Sequence, residues 1–131
     1  MPRKKKRREP EYTLNLFYDL GEQTKQRVVV AFVQTTQMFV NFNYQILLHS
    51  EIEGTRITIN IRGLHAPSLV LPAMGPARGK IELPPVRGRY ALVIRKLQRE
   101  INEFQVEFLP EEIRVLEAPK NPFITITTTS T

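Results

Sequence analysis

The sequence predicts an all-β fold, an antiparallel two-sheet sandwich of about seven or eight strands. Nearly every apolar run alternates at period two, the strand period, and β-branched and aromatic residues fill those runs. The chain has 131 residues, of which 41% are hydrophobic, so it is long and apolar enough for one domain with a buried core.

The first strand predictions come from the N-terminal third of the chain. The stretch "YTLNLFY" places alternate residues, from Tyr12 to Tyr18, on one face. The stretch "RVVVAFV", from Arg27 to Val33, is almost continuously apolar, which indicates a strand covered on both faces. The stretch "MFVNFNYQILL" predicts one long half-buried strand, whose buried face would carry Met38, Val40, Phe42, Tyr44, Ile46 and Leu48.

The middle of the chain alternates between a clear strand and a proline-rich region. After a turn at Gly54, the stretch "TRITINIR" predicts a strand with three isoleucines on its buried face. From Gly63 to Gly88, prolines argue against a helix or a central strand. We expect short edge strands near Leu69 to Leu71 and Lys80 to Leu83, joined by a loop from Met74 to Gly79. The prolines are Pro67, Pro72, Pro76, Pro84 and Pro85.

The segment "LVIRKLQREINEFQVEF" fits either a helix or two strands around a polar turn. Its β-branched and aromatic ends favour the hairpin, from Tyr90 to Leu97 and from Phe104 to Phe108. A last strand, "EEIRVLE", follows Pro110. The predicted organisation is a flexible basic tail at 1–10, a sandwich domain at 11–119, and a Thr-rich tail or weak edge strand at 120–131.

The stretch "RGRYALVI" resembles the start of strand F in immunoglobulin-like domains. The resemblance implies that Tyr90 is the tyrosine of a tyrosine corner and that Leu92 stands in place of the second cysteine of that family. The chain has no cysteine and no tryptophan, so the resemblance is to cysteine-free, immunoglobulin-like or fibronectin-like modules. It extends to the fold alone and carries no function.

Residues suited to catalysis or metal binding are scarce, and we expect no catalytic residues, no metal and no cofactor. His49 and His65 are the only histidines and Asp19 is the only aspartate, and neither Ser50 nor Ser68 lies in a nucleophile-elbow pattern. Without cysteines or clustered aspartates, two histidines do not make a ligand set. The sequence therefore favours a non-enzymatic binding module, most simply one for a protein partner.

The net charge of +6 lies entirely in one run near the N-terminus. Six of the 19 Lys and Arg residues fall between Arg3 and Arg8, and the other 13 balance the 13 Asp and Glu residues. The polar stretch after this run does not resemble the apolar part of a secretory signal, and no stretch has the 18 apolar residues of a membrane span. We expect an intracellular protein, cytoplasmic in a bacterium and, through this run, nuclear in a eukaryote.

A second group of basic residues surrounds the glycines of "GPARGK" and "VRGR". If these side chains met at one end of the domain, they would neutralise phosphates of a nucleic acid or another polyanion. The alternative is that they pair with the acidic flank around Glu100, Glu103 and Glu107. The candidate anion contacts are Arg3, Lys4, Lys5, Lys6, Arg7, Arg8, Arg78, Lys80, Arg87 and Arg89.

Overall fold

The computed structural model describes residues 9–40, 44–66, 74–97 and 99–129, and these form nine strands without a helix. The strands are β1 (Tyr12–Leu20), β2 (Arg27–Phe39), β3 (Gln45–Glu53), β4 (Arg56–His65), β5 (Gly75–Leu83), β6 (Gly88–Lys96), β7 (Glu100–Phe108), β8 (Ile113–Glu117) and β9 (Ile124–Thr128).

All nine strands belong to one mixed sheet in the order β8-β7-β6-β4-β3-β5-β2-β1-β9. The sheet curls into a nearly closed barrel, and its two edge strands, β8 and β9, come into contact. The all-β prediction is confirmed, but the antiparallel two-sheet sandwich is wrong. Three of the pairings, β4 with β6, β3 with β5 and β1 with β9, are parallel.

The barrel interior holds the alternating apolar residues that the sequence singles out. Leu14 and Leu16 of β1 and the three isoleucines of β4 are fully buried or nearly so. The two strands of the predicted hairpin are β6 and β7, which pair in antiparallel register from Gly88 with Phe108 to Lys96 with Glu100, so the hairpin is confirmed. Its inward residues, such as Phe104, complete the core.

The predicted continuous strand from Met38 to Leu48 is wrong. β2 ends at Phe39 and β3 begins at Gln45, because β5 lies between these two strands in the sheet. Ile46 is buried as expected, whereas Met38 and Val40 are exposed. Phe42 lies outside the described residues.

The prediction that prolines keep the 63–88 region at an edge is wrong for its second half. β5 is a nine-residue interior strand, and "GPARGK" lies within it rather than in a loop. Pro76 is tolerated because it lies where the register between β2 and β5 is already interrupted. The next backbone donor, the N–H of Ala77, bonds to the Thr35 hydroxyl at 2.8 Å. The predicted strand at Leu69 to Leu71 lies outside the described residues.

Side-chain hydrogen bonds link the two edges of the curled sheet at both ends of the barrel. Asn102 of β7 is buried, and its Oδ1 accepts the backbone N–H of Phe123, just before β9, at 2.8 Å. At the opposite end, the Tyr18 hydroxyl donates to the carbonyl of Leu109 at 2.7 Å. The Thr-rich end of the chain contains β9, which is an edge strand and pairs in parallel with β1.

The two ends of the barrel carry different chemistry. We call one the arginine end; it holds the turn between β1 and β2, the turn between β3 and β4, and residues 84–87 and 109–112. We call the other the tail end; there the chain enters at Pro10, β2 finishes at Phe39, and β5 starts at Gly75.

The described part of the chain contains no helix that is long and apolar enough to cross a membrane.

Candidate functional site

A groove at the arginine end brings basic and aromatic side chains together. Its volume is about 430 Å³, within the size range of ligand sites in proteins. The groove lies where the short connection from β5 to β6 passes the start of β2 and the turn between β7 and β8. It is lined by Tyr18, Arg27, Pro85, Val86, Arg87, Tyr90, Leu109 and Pro110.

Arg27 is fixed in this groove by its place as the first residue of β2. It pairs with Leu20 across the turn from β1, and its guanidinium carbon stacks 3.9 Å from the centre of the Tyr18 ring. Tyr18 is itself held from behind, because its hydroxyl bonds to the carbonyl of Leu109. The stacking leaves the edge of the Arg27 guanidinium, with its N–H groups, available to a ligand.

Arg87 reaches the same groove from the connection between β5 and β6. Pro84 and Pro85 restrict the backbone before it, and Gly88 follows it with a positive φ of 93°. Neither Arg27 nor Arg87 forms an ion pair with another described residue. Two guanidinium groups that have no carboxylate partner in the described part of the chain therefore line one groove.

The positive charges of Arg27 and Arg87 both affect the pKa of the Tyr18 hydroxyl. Burial raises the pKa of Tyr18 above its ordinary value, and the positive charges of Arg27 and then Arg87 act in the opposite direction. Both arginines thus lie close enough to the phenol ring to favour negative charge there. The same field would favour an anionic ligand in the groove.

The burial of Tyr18 predicts how stability responds to alkaline pH. Because the pKa of Tyr18 is higher in the folded than in the unfolded chain, its contribution is fully present below the unfolded pKa and declines as pH rises through the folded pKa. We expect the wild-type free energy of unfolding to fall over this alkaline range and the fall to be smaller in Tyr18→Phe. Urea denaturation across a pH series measures it; an equal fall in both proteins would contradict the assignment.

The other predicted anion contacts do not converge on the groove. Arg78 and Lys80 lie on the outer face of β5, and Lys80 forms an ion pair with Glu22 at 2.8 Å. Arg89 of β6 lies near the groove but pairs with Glu107 at 3.6 Å, which is the alternative that the acidic flank suggested. Of the predicted set, Arg87 alone lines the groove, and the run from Arg3 to Arg8 lies outside the described residues.

Tyr90, the expected tyrosine-corner residue, lines the groove from β6. Its ring packs edge-on against Phe108, with the ring centres 5.7 Å apart. The hydrogen bond across this end of the barrel is made instead by Tyr18. The tyrosine-corner role of Tyr90 stays a prediction from resemblance.

Arg27 and Tyr18 were missed as site residues from the sequence. Both lie in runs that read as core strands, and nothing in those runs marks the start of β2 as close to residues 84–87. The available indication was the charge of Arg27 at the start of an otherwise apolar run, where a strand end meets solvent.

The remaining chemistry-bearing residues are dispersed. His49 contacts Glu51 at 3.9 Å on β3, whereas Asp19 lies at the end of β1. Within the described ranges, no three His, Asp or Glu side chains come together in a way that would hold a metal ion. Comparisons of the chain with models of known protein families, with curated proteins and with solved structures gave no match.

Proposed function

We propose that the chain is a non-enzymatic binding domain whose groove at the arginine end takes an acidic segment of a protein partner. The observation that carries the proposal is the pair of guanidinium groups, Arg27 and Arg87, that share a groove and have no carboxylate partner among the described residues. Lys80 and Arg89, by contrast, form ion pairs with Glu22 and Glu107.

The chemistry of the lining supports a carboxylate-bearing ligand. A guanidinium presents planar N–H donors that match the two oxygens of a carboxylate, and charge-assisted hydrogen bonds of this kind are among the strongest in proteins. Pro85, Val86 and Pro110 supply apolar walls against which the aliphatic stem of a glutamate would pack. The groove therefore suits a side chain with an anionic tip and an apolar stem.

The same lining argues for binding rather than catalysis. The described residues that line the groove include no histidine, carboxylate, serine or cysteine, the groups that usually act as general bases or nucleophiles. The two tyrosines that line it are fixed by packing, and the hydroxyl of Tyr18 is already engaged with Leu109.

A nucleic-acid partner is the second candidate, favoured by the six consecutive basic residues from Arg3 to Arg8. Such a run contacts phosphates without reading sequence, and its affinity falls steeply with salt. It accounts for binding through the tail and does not require the groove.

The proposal is tested with the full chain and a fluorescent oligoglutamate peptide, followed by fluorescence anisotropy. We expect the double variant Arg27→Ala, Arg87→Ala to bind the peptide roughly tenfold more weakly or worse, because each lost charge-assisted hydrogen bond costs about 1.5–3 kcal/mol. The matched control is Arg89→Ala, Arg114→Ala, which removes the same charge from two arginines paired with Glu107 and Glu112.

The outcomes separate the two candidates. Equal weakening in the groove variant and the control would show that total charge, and not the groove, determines binding, and would overturn the proposal. Retained binding in the groove variant together with loss in Lys4→Gln, Lys5→Gln, Lys6→Gln would assign the peptide to the tail and also overturn it. Displacement of the peptide by duplex DNA in the wild type but not in the tail variant would identify the tail as the nucleic-acid contact.

A further inference from the structure

The tail end of the barrel exposes a compact group of apolar side chains on its outer face. Met38, Val40 and Met74 are 57%, 64% and 72% exposed. Phe39, between the first two, packs against the core, so its neighbours point outward. We call the exposed group, Met38, Val40 and Met74, the apolar tip.

Strand pairing places the members of the apolar tip next to each other. Met38 pairs with Pro76 and Phe39 pairs with Gly75 across β2 and β5. Val40 and Met74 are the residues next to this last pair, and both side chains are exposed. The pairing therefore brings the three exposed side chains to the same end of two neighbouring strands.

The first described residues of the chain lie beside this tip. The Thr36 hydroxyl donates to the carbonyl of Pro10 at 2.9 Å, and the Thr36 N–H donates to the carbonyl of Glu11 at 2.9 Å. These bonds hold Pro10 against Thr36, which precedes Met38 by two residues. The six basic residues of the sequence end at Arg8, just before Glu9 and Pro10. The sequence therefore places six consecutive basic residues just before a segment that is hydrogen-bonded beside the tip.

We propose that the apolar tip docks this protein on the surface of an anionic phospholipid membrane, to which the six basic residues that precede Glu9 in the sequence would be attracted. Stable peripheral binding requires two contributions, apolar side chains that enter the headgroup boundary and basic residues attracted to anionic lipids. Both are present here, and Arg78, exposed on β5 two residues from Pro76, adds a basic side chain beside the tip.

Charge and polarity distinguish this occupant from the others. A second copy would bring its own six positive charges to the same interface, which opposes self-association at the tip. A nucleic acid would satisfy the basic run but offers no apolar environment for Met38, Val40 and Met74. The tip lies at the end of the barrel opposite the groove, so a membrane-docked chain would keep the groove accessible.

Co-sedimentation of the full chain with vesicles tests the proposal. We expect binding to phosphatidylcholine vesicles that contain roughly 30% phosphatidylserine and little binding to pure phosphatidylcholine vesicles. Met38→Gln, Met74→Gln leaves the charge unchanged and replaces exposed side chains, so it should fold and bind the anionic vesicles at least about tenfold more weakly. The matched control, Leu20→Gln, Leu116→Gln, replaces exposed apolar residues elsewhere and should bind like the wild type.

Each other result overturns the proposal. Undiminished binding of the methionine variant would reduce the interaction to adsorption of a polycation. Equal loss in the methionine variant and the leucine control would show that the tip has no special part. A wild type that does not bind the anionic vesicles, or that forms a dimer lost in Met38→Gln, Met74→Gln by analytical ultracentrifugation, would assign the tip to another occupant.

Discussion

Replacement of Phe123 by alanine is expected to lower the free energy of unfolding by about 3–5 kcal/mol, the usual cost of removing a buried aromatic ring. Phe123 is fully buried, its N–H bonds to Asn102, and its carbonyl accepts the N–H groups of Glu11 and Tyr12. It thus joins β7, β9 and the entry to β1 at the tail end. Urea denaturation of both proteins measures the change.

Two further variants separate packing from hydrogen bonding at this position. Phe123→Leu keeps most of the apolar volume and is expected to retain most of the stability. Asn102→Leu leaves the N–H of Phe123 without its partner and should cost about 1–3 kcal/mol. A stability of Phe123→Ala within about 0.5 kcal/mol of the wild type would mean that the C-terminal strand does not complete the barrel.

Substitution of Gly79 by valine is also expected to lower the free energy of unfolding. A Cβ at Gly79 would lie 2.5 Å from the carbonyl oxygen of Ile46 and 3.0 Å from its Cβ, inside van der Waals contact with the backbone of β3. Because the clash is with backbone, β5 and β3 must separate. We expect a loss of about 1–3 kcal/mol or more, measured by urea denaturation, with Gly79→Ala less affected.

Arg78→Ala serves as the control for this glycine, since Arg78 is the preceding residue of β5 and its side chain is exposed. That variant should change stability by less than about 0.5 kcal/mol. A Gly79→Val protein as stable as the Arg78→Ala protein would contradict the insertion of β5 beside β3.

Local patterns predicted the strands well where one face is buried and the other is polar. The alternation in "YTLNLFY" and "TRITINIR" corresponds to β1 and β4, with Leu14, Leu16 and Ile59 in the core. The choice of a hairpin for β6 and β7 succeeded because Val, Ile and Phe at both ends favour strands over a helix. Period two marks a strand and its two faces, and these predictions required no other information.

Strand neighbours could not be predicted in the same way. Alternation is equally compatible with two packed sheets and with one curled sheet, so it did not exclude the sandwich. β5 enters between β2 and β3 through non-local pairings, such as Phe32 with Lys80, that leave no local trace. Pro76 argued against an interior strand, and only the interruption in the β2 register removes that objection.

The candidate groove was predictable to the extent of one residue. Arg87 was singled out by its charge beside a turn, whereas Arg27 reaches the same place from a strand 60 positions earlier in the sequence. Arg78, Lys80 and Arg89 have the same local signature, but the barrel directs them to the outer face or to carboxylates. Convergence depends on topology, which charge patterns along a chain do not contain.

Amide chemical-shift mapping of the full chain during titration with the oligoglutamate peptide locates the surface that binds an acidic segment. The proposed groove predicts saturable shifts at Arg27, Val86, Arg87 and Tyr90, with little change on the outer face of β5. Shifts confined to the run from Arg3 to Arg8, or spread over exposed basic residues such as Arg78 and Arg114, would contradict the assignment of the groove as the binding site.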